Sequence, residues 1–316
     1  MTTTPVETPV DRASGDTCVY VVGMHRSGTS ATTEVLARLG LTVPAADDLI
    51  PATGSNQQGH WESRRLVGHS ERVLGRLGAA WSSPPELAPA WERDPGLDDL
   101  RTLAADLVPA TFAAPPMAWK DPRLCVLLPF WRSVVPWPEA ALLVTRSPAE
   151  VARSLTRRNG FPPILGLALW ERYMRAACAN LQGIPTLVVD YQRMLDDPGG
   201  FGDALVAFLG DAGVTVPASG VDRVAGALDR GLQHQRIAEA PAGLPDSASK
   251  VTDALEELDG AHHPWRTPAL GPEPAWVAEV LAMRRDYDVL ARAHKWATTS
   301  RAYRLARWAR GQKPTR

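Results

Sequence analysis

Residues 17–30, Thr17-Cys-Val-Tyr-Val-Val-Gly-Met-His-Arg-Ser-Gly-Thr-Ser30, decide how this chain is read. Thr17–Val22 is a short apolar run rich in β-branched residues, which predicts a buried strand. Ala31–Leu39 then reads as a helix closed by Gly40 just past its end. A strand, a glycine-containing loop and a helix in that order aim successive backbone N–H groups, and the positive end of the helix dipole, at one point. That is the geometry of a phosphate nest. Gly28 permits the tight backbone, while Thr29 and Ser30 add hydroxyl donors at the helix start. An ordinary strand-to-helix turn with a Ser/Thr cap would carry similar residues, so Gly23–Ser30 alone leaves both readings open.

The spacing is nearly GxxxxGK[ST], but Thr29 stands where the lysine would be. That lysine normally reaches the β and γ phosphates of a nucleoside triphosphate, so its absence counts against a kinase or ATPase. The cation lies inside the loop instead, as Arg26, which suits a donor whose phosphate is bonded directly to the group transferred.

Outward from the loop, strands and helices alternate. A helix is predicted over about Glu62–Leu77, and the stretch 82–95, with Pro84, Pro85, Pro89 and Pro95, reads as a loop. Met117–Lys120 is a strand running into Asp121-Pro122-Arg123 and a helix from Leu124. Ala140–Thr145 is another buried strand, followed by Arg146 and a helix with Pro148 in its first turn. A helix over Leu165–Leu181 leads to strand Thr186–Val189 and then Asp190-Tyr191. The stretch 211–272, rich in Gly, Ala and Pro, shows no clear period, and a last helix is expected over about 274–310. The fold class is therefore α/β: a P-loop-like parallel sheet flanked by helices, with a helical C-terminal extension.

The 316 residues, 45% of them apolar, suit one large α/β domain over 17–272, preceded by a disordered leader over 1–16. A C-terminal helix with a basic tail occupies 273–316. No apolar run approaches the roughly 20 residues of a membrane span, and 1–16 does not read as a secretory signal, so a cytoplasmic protein is expected. Cys18, Cys125 and Cys178 are far apart in apolar contexts; they read as buried hydrophobes in a reducing compartment and form no metal-ligand cluster with the seven histidines. A net charge of −1 argues against nucleic acid as a partner. From Arg284 to Arg316, however, ten Lys/Arg face two acids, against 24 and 33 before that point. On a helical wheel Ala302, Leu305, Ala306 and Ala309 share one face, and Arg301, Arg304, Arg307 and Arg310 spread over the other. Peripheral contact with the inner face of an anionic membrane and a merely solvated helix both stand as readings, because an alanine-rich face inserts weakly.

His25–Ser30, HRSGTS, resembles the 5′-phosphosulfate loop of sulfotransferases that use 3′-phosphoadenosine 5′-phosphosulfate (PAPS). A second similarity is Arg146, closing a strand, with Ser154 eight residues later on a helix; in that family the pair holds the 3′-phosphate. A third is Trp119-Lys120-Asp121-Pro122-Arg123, which looks like the Lys-Asp-Pro element of bacterial carbohydrate and natural-product sulfotransferases and of tyrosylprotein sulfotransferases. The resemblance covers roughly residues 17–210. It implies donor binding by His25, Arg26, Ser27, Gly28, Thr29, Ser30, Arg146 and Ser154, with Lys120 stabilising charge on the leaving phosphate. It further implies PAPS as co-substrate, no metal requirement, and a hydroxyl-bearing acceptor, small molecule or glycan.

Arg26 and Lys120 would neutralise developing charge, and the acceptor hydroxyl benefits from a base. Candidates are His60, Glu62, His69, Asp47, Asp48 and Asp121. Glu62 is favoured because related sequences carry a Gly-aromatic-Glu element between the loop and Lys-Asp-Pro; a helix-start carboxylate is the other reading of that residue. The chain departs from the small-molecule cytosolic sulfotransferases: their Lys-Thr-His-Leu-Pro is replaced by Lys-Asp-Pro-Arg-Leu, and their RKG-type element is not recognisable. Gln233-His234-Gln235-Arg236 is a candidate substitute. Asp190, read as a metal-binding aspartate after a strand, keeps a P-loop phosphotransferase as the alternative, and a catalytically idle nucleotide-binding relative is a third reading. Residues 43–96 and 211–272 are expected to line the acceptor pocket, whose ligand the sequence does not name.

Overall fold

Five strands and ten α-helices organise the part of the chain that the computed structural model describes, residues 13–52, 59–218, 220, 224 and 244–299. The first strand, β1 (Cys18–Val22), is buried along its whole length, as its β-branched, uncharged sequence requires of a central strand. It pairs in parallel with β2 (Met117–Lys120) on one side and β3 (Glu139–Thr145) on the other. Outside β3 lies β4 (Thr186–Asp190), also parallel, and β5 (Gly260–His262) closes that edge antiparallel, giving the order β2-β1-β3-β4-β5. The expected α/β sheet flanked by helices is present, with one antiparallel strand that the uninterpretable stretch 211–272 had hidden.

Side chains alternate between two cores, as strand geometry dictates. Cys18, Tyr20 and Val22 point into the larger core with Ala141 and Leu143, and Val19 and Val21 into the smaller with Ala140, Leu142 and Val144. The smaller core is covered by α1 (Thr29–Arg38), α7 (Tyr191–Asp196) and α8 (Pro198–Asp211). The larger lies beneath α2 (Arg64–Arg76), α3 (Asp98–Thr111), α4 (Leu124–Arg132), α5 (Pro148–Asn159) and α6 (Pro163–Asn180). Helices α9 (Asp246–Glu257) and α10 (Ala275–Thr299) complete that layer by packing on α6. Trp119, Trp131, Trp170 and Trp265 are fully buried there; each such side chain contributes on the order of 3 kcal/mol through apolar surface removed from water.

Of the leader expected over 1–16, residues 13–16 lie among the described residues and join the fold. Ala13 is buried in the smaller core and Ser14 pairs with Thr215, exchanging backbone hydrogen bonds of 3.0 and 2.8 Å, so this end is tied to the segment after α8. Residues 1–12, the Gln233–Arg236 candidate and the tail 300–316 lie outside the described residues. Among the described residues no helix is long and apolar enough to cross a membrane.

Candidate active site

Four parallel strands end on the same edge of the sheet, and each delivers one part of the site there: the loop after β1, Lys120 at the end of β2, Arg146 after β3 and Tyr191 after β4. The loop is tightly built. A Cβ on Gly23 would sit 2.6 Å from the carbonyl oxygen of Val144, and one on Gly28, at φ 95°, would sit 2.0 Å from the Tyr191 ring. Arg26 occupies the left-handed region at φ 74°, a strain of about 1–3 kcal/mol held in place by its surroundings. Gly28 itself is the residue preceding α1, and no side chain caps that helix. The alternative reading, a turn capped by Ser or Thr, is therefore not what forms. Ser27 adds a fully buried hydroxyl with no hydrogen-bond partner, an orphaned polar atom inside the loop.

Arg26, Arg146 and Ser154, 128 residues apart at the extremes, meet directly. Arg26 Nε donates to Ser154 Oγ at 2.9 Å, and Arg146 Nη1 donates to the Arg26 carbonyl at 3.0 Å. Arg146 Nε binds Glu150 Oε2 at 2.7 Å, its guanidinium lies 4.6 Å over the Tyr191 ring, and Trp170 Nε1 fixes its carbonyl at 3.1 Å. Burial, followed by the charges of Arg158, Arg146 and Arg157, lowers the Arg26 pKa. Arg157 and Arg158 escaped the sequence reading although the signal was there: three and four residues beyond Ser154, they share its helix face. Together these residues make a strongly cationic corner at the loop.

On the other side of the loop, Lys120 joins three groups. Its Nζ forms an ion pair with Glu62 Oε1 and donates to the His60 carbonyl at 3.0 Å and to Ser30 Oγ at 3.4 Å. Ser30 Oγ donates to the same His60 carbonyl at 3.3 Å. Trp61, at φ 56°, turns the chain so that the His60 carbonyl and the Glu62 carboxylate face one ammonium. Glu62 precedes Ser63, whose hydroxyl caps α2 through Leu66 N at 3.1 Å, so Glu62 is not a helix-start carboxylate. A buried cation the sequence reading passed over, Arg123, lies 3.9 Å from Glu62 Oε2 and pairs with Glu71 at 2.6 Å and Asp121 at 3.0 Å. Burial opposes its charge, but Asp121 and Glu71 outweigh that and raise its pKa.

No protein-family model matches this chain, and no curated protein matches it. Among solved structures it is similar to the sulfotransferase domain from the Synechococcus PCC 7002 olefin synthase, at 17% identity and a TM-score of 0.45 over 79% of this chain and 98% of that one. It is also similar to the sulfotransferase domain from the curacin biosynthetic pathway, at 12% identity and a TM-score of 0.40 over 87% and 98%.

The remaining base candidates separate by contact. Asp121 is consumed by Ser70 and by the backbone and side chain of Arg123, all at 3.0 Å. Asp48 holds the start of α2 through Ser63 and Arg65, and Asp47 is exposed. His69 packs between Phe130 and Trp131 in the core. Only Glu62 and His60 adjoin Lys120. Burial lowers the His60 pKa, partly offset by Glu62. His25 is buried against Trp81 and Tyr173, its Nε2 unpartnered; burial, then Arg123 and Lys120, hold its pKa well below the usual imidazole value.

Asp190, the other acidic candidate, caps α7 through Arg193 N at 2.8 Å, and its strand is separated from β1 by β3. A cavity of about 660 Å³ runs along the ends of β3 and β4, lined by Arg146, Glu150, Asp190 and Asp259 among others; it shares Arg146 with the cationic corner but not Arg26, Lys120 or Glu62. Among the described residues no group of three His, Cys, Asp or Glu is placed to hold a metal ion.

Proposed function

We propose that this chain is a PAPS-dependent O-sulfotransferase whose acceptor is a hydroxyl of a carbohydrate, glycolipid or small-molecule natural product. The observation that carries this reading is the convergence of Arg26, Arg146 and Ser154 at a phosphate loop that lacks its lysine. A triphosphate needs that lysine and a metal-binding carboxylate, and Asp190 is occupied as the cap of α7. A donor with phosphates on both the 3′ and 5′ positions of its ribose is served by several cations gathered at one loop, and Arg26 and Arg146 meet there. Ser27, its hydroxyl orphaned, and the uncapped start of α1 complete the cradle for the 5′ side.

In this reading the S–O bond to the donor phosphate breaks as a new S–O bond forms to the acceptor oxygen, and adenosine 3′,5′-bisphosphate leaves. Arg26 and Lys120 neutralise the negative charge that grows on the leaving phosphate oxygen, so no metal is required. Glu62 takes the acceptor proton. Lys120 connects the two roles, since it touches Ser30 of the loop on one side and Glu62 on the other. A phosphate drawing Lys120 toward the loop leaves the Glu62 carboxylate free to accept a proton. The buried, unpaired Cys18, Cys125 and Cys178 suit a reducing cytoplasm. The test is transfer from 35S-labelled PAPS across a panel of sugar, glycolipid and phenolic acceptors. Label appearing in a hydroxyl product supports the reading; transfer of label from γ-32P-ATP instead would replace it with phosphotransfer.

A further inference from the structure

Helix α10 is rooted in the core by Val277 and Leu281 and then leaves it. Five of the seven large hydrophobic side chains that are exposed among the described residues belong to this one helix. Met283, Tyr287 and Leu290, spaced i, i+4, i+7, make a stripe that is 64, 61 and 69% exposed, and Trp296 beyond them is 75% exposed. Among the described residues nothing covers them, and a cluster of this kind marks an interaction surface.

Charge decides what covers it. The chain from Arg284 onward carries a net +8, and of its two acids Asp288 is already paired with Arg284 at 2.8 Å. A second copy would bring +8 against +8, so self-association through this face is opposed electrostatically. An anionic surface is favoured, and a fluid apolar one accepts Met283, Tyr287 and Leu290 without needing a matching groove. Tyrosine, as at Tyr287, is also a residue that settles at the headgroup level of a bilayer.

We propose that α10 seats this protein on an anionic lipid surface through Met283, Tyr287 and Leu290, with the basic residues from Arg292 onward drawing it there. The exposed stripe supplies the insertion that an alanine-rich tail face lacks. The helix root also reaches the candidate site. Arg284 lies 4.6 Å over the Phe161 ring, Phe161 stacks on Trp81 at 5.7 Å, and Trp81 lies 4.6 Å from His25 of the loop. The lipid seat and the site thus share a wall, which suits a hydroxyl presented at a membrane surface.

The test needs neither donor nor acceptor and so stands apart from the sulfotransferase reading. The full chain is sedimented with phosphatidylglycerol-containing vesicles and with pure phosphatidylcholine vesicles at low salt. Binding to the anionic vesicles alone is expected, and Leu290→Glu, at an exposed position that leaves the melting temperature unchanged, should weaken it by about tenfold. Absence of binding by the native chain overturns the proposal, as does a Leu290→Glu protein that binds equally well. A dimer in sedimentation equilibrium that Leu290→Glu dissolves, with no vesicle binding, overturns it in favour of a second copy.

Discussion

Lys120 and Glu62 are both buried, and a buried ion pair offsets its own desolvation only when further partners are in place. Here the ammonium has the His60 carbonyl and Ser30 as well, which ties the pair to the loop rather than to the core. Removing the carboxylate outright would strand a buried cation at a cost of about 3–5 kcal/mol, so the informative change is Glu62→Gln. It keeps the shape and the contact to Lys120 but cannot take a proton. Turnover should fall by about 10²–10⁴, with bisphosphate affinity changed by no more than a few-fold if the carboxylate serves the acceptor as proposed. Steady-state turnover beside a thermal melt checks this; a Gln variant with native turnover moves the base to His60. Each partner was legible in the sequence as a candidate, but their contact was not, since it joins residues 58 apart through the turn at Trp61. Arg123 was missed for a related reason. It follows Asp121 and Pro122 between a strand and a helix, and only tertiary packing shows the side chain buried among three carboxylates.

At the scale of elements, the strand–loop–helix unit at the start of the chain depends on Gly28. Gly28→Ala meets both a φ of 95° and the Tyr191 ring, so it should cost about 1–3 kcal/mol of stability and at least about tenfold in bisphosphate affinity as the loop shifts. Gly160→Ala is the control. At φ 68° with open space around it, it should cost about 1 kcal/mol and leave ligand binding alone. Equal effects of the two on affinity would show that the loop's close packing against Tyr191 is irrelevant to binding. The four parallel strands were readable to within one residue because each is a buried apolar run bounded by polar residues. Helix α3 was not readable: Asp98 and Asp99 open it and Pro109, a helix breaker by propensity, lies near its end, so its apolar period is masked. In α8 four glycines hide a helix that packs Leu205, Phe208 and Leu209 inward, and β5 is only three residues long, too short to carry a pattern.

For the whole molecule, three histidines set a pH dependence. His25, His60 and His69 all have lowered pKa values, with burial the first cause in each, so the folded protein holds them neutral. Unfolded imidazoles protonate near pH 6.5. Below that value the unfolded chain binds protons that the folded one refuses, and stability falls as pH drops. The melting temperature should be level from pH 7 to 8 and decline steadily from about 6.5 downward, with His69→Phe, at a position away from the site, reducing the decline. A melting temperature that rises on acidification from pH 6.5 to 5 would contradict the neutral, buried assignment.

The central claim concerns the loop and the cationic corner that Arg26 and Arg146 form beside it. Titration calorimetry of the full chain with adenosine 3′,5′-bisphosphate, in the presence of a chelator, addresses it most directly. The account predicts binding without magnesium, ATP binding far weaker under any conditions, and an Arg146→Ala protein whose bisphosphate affinity falls by at least about tenfold through loss of a charge-assisted contact. Magnesium-dependent binding of ATP that outcompetes the bisphosphate would contradict it.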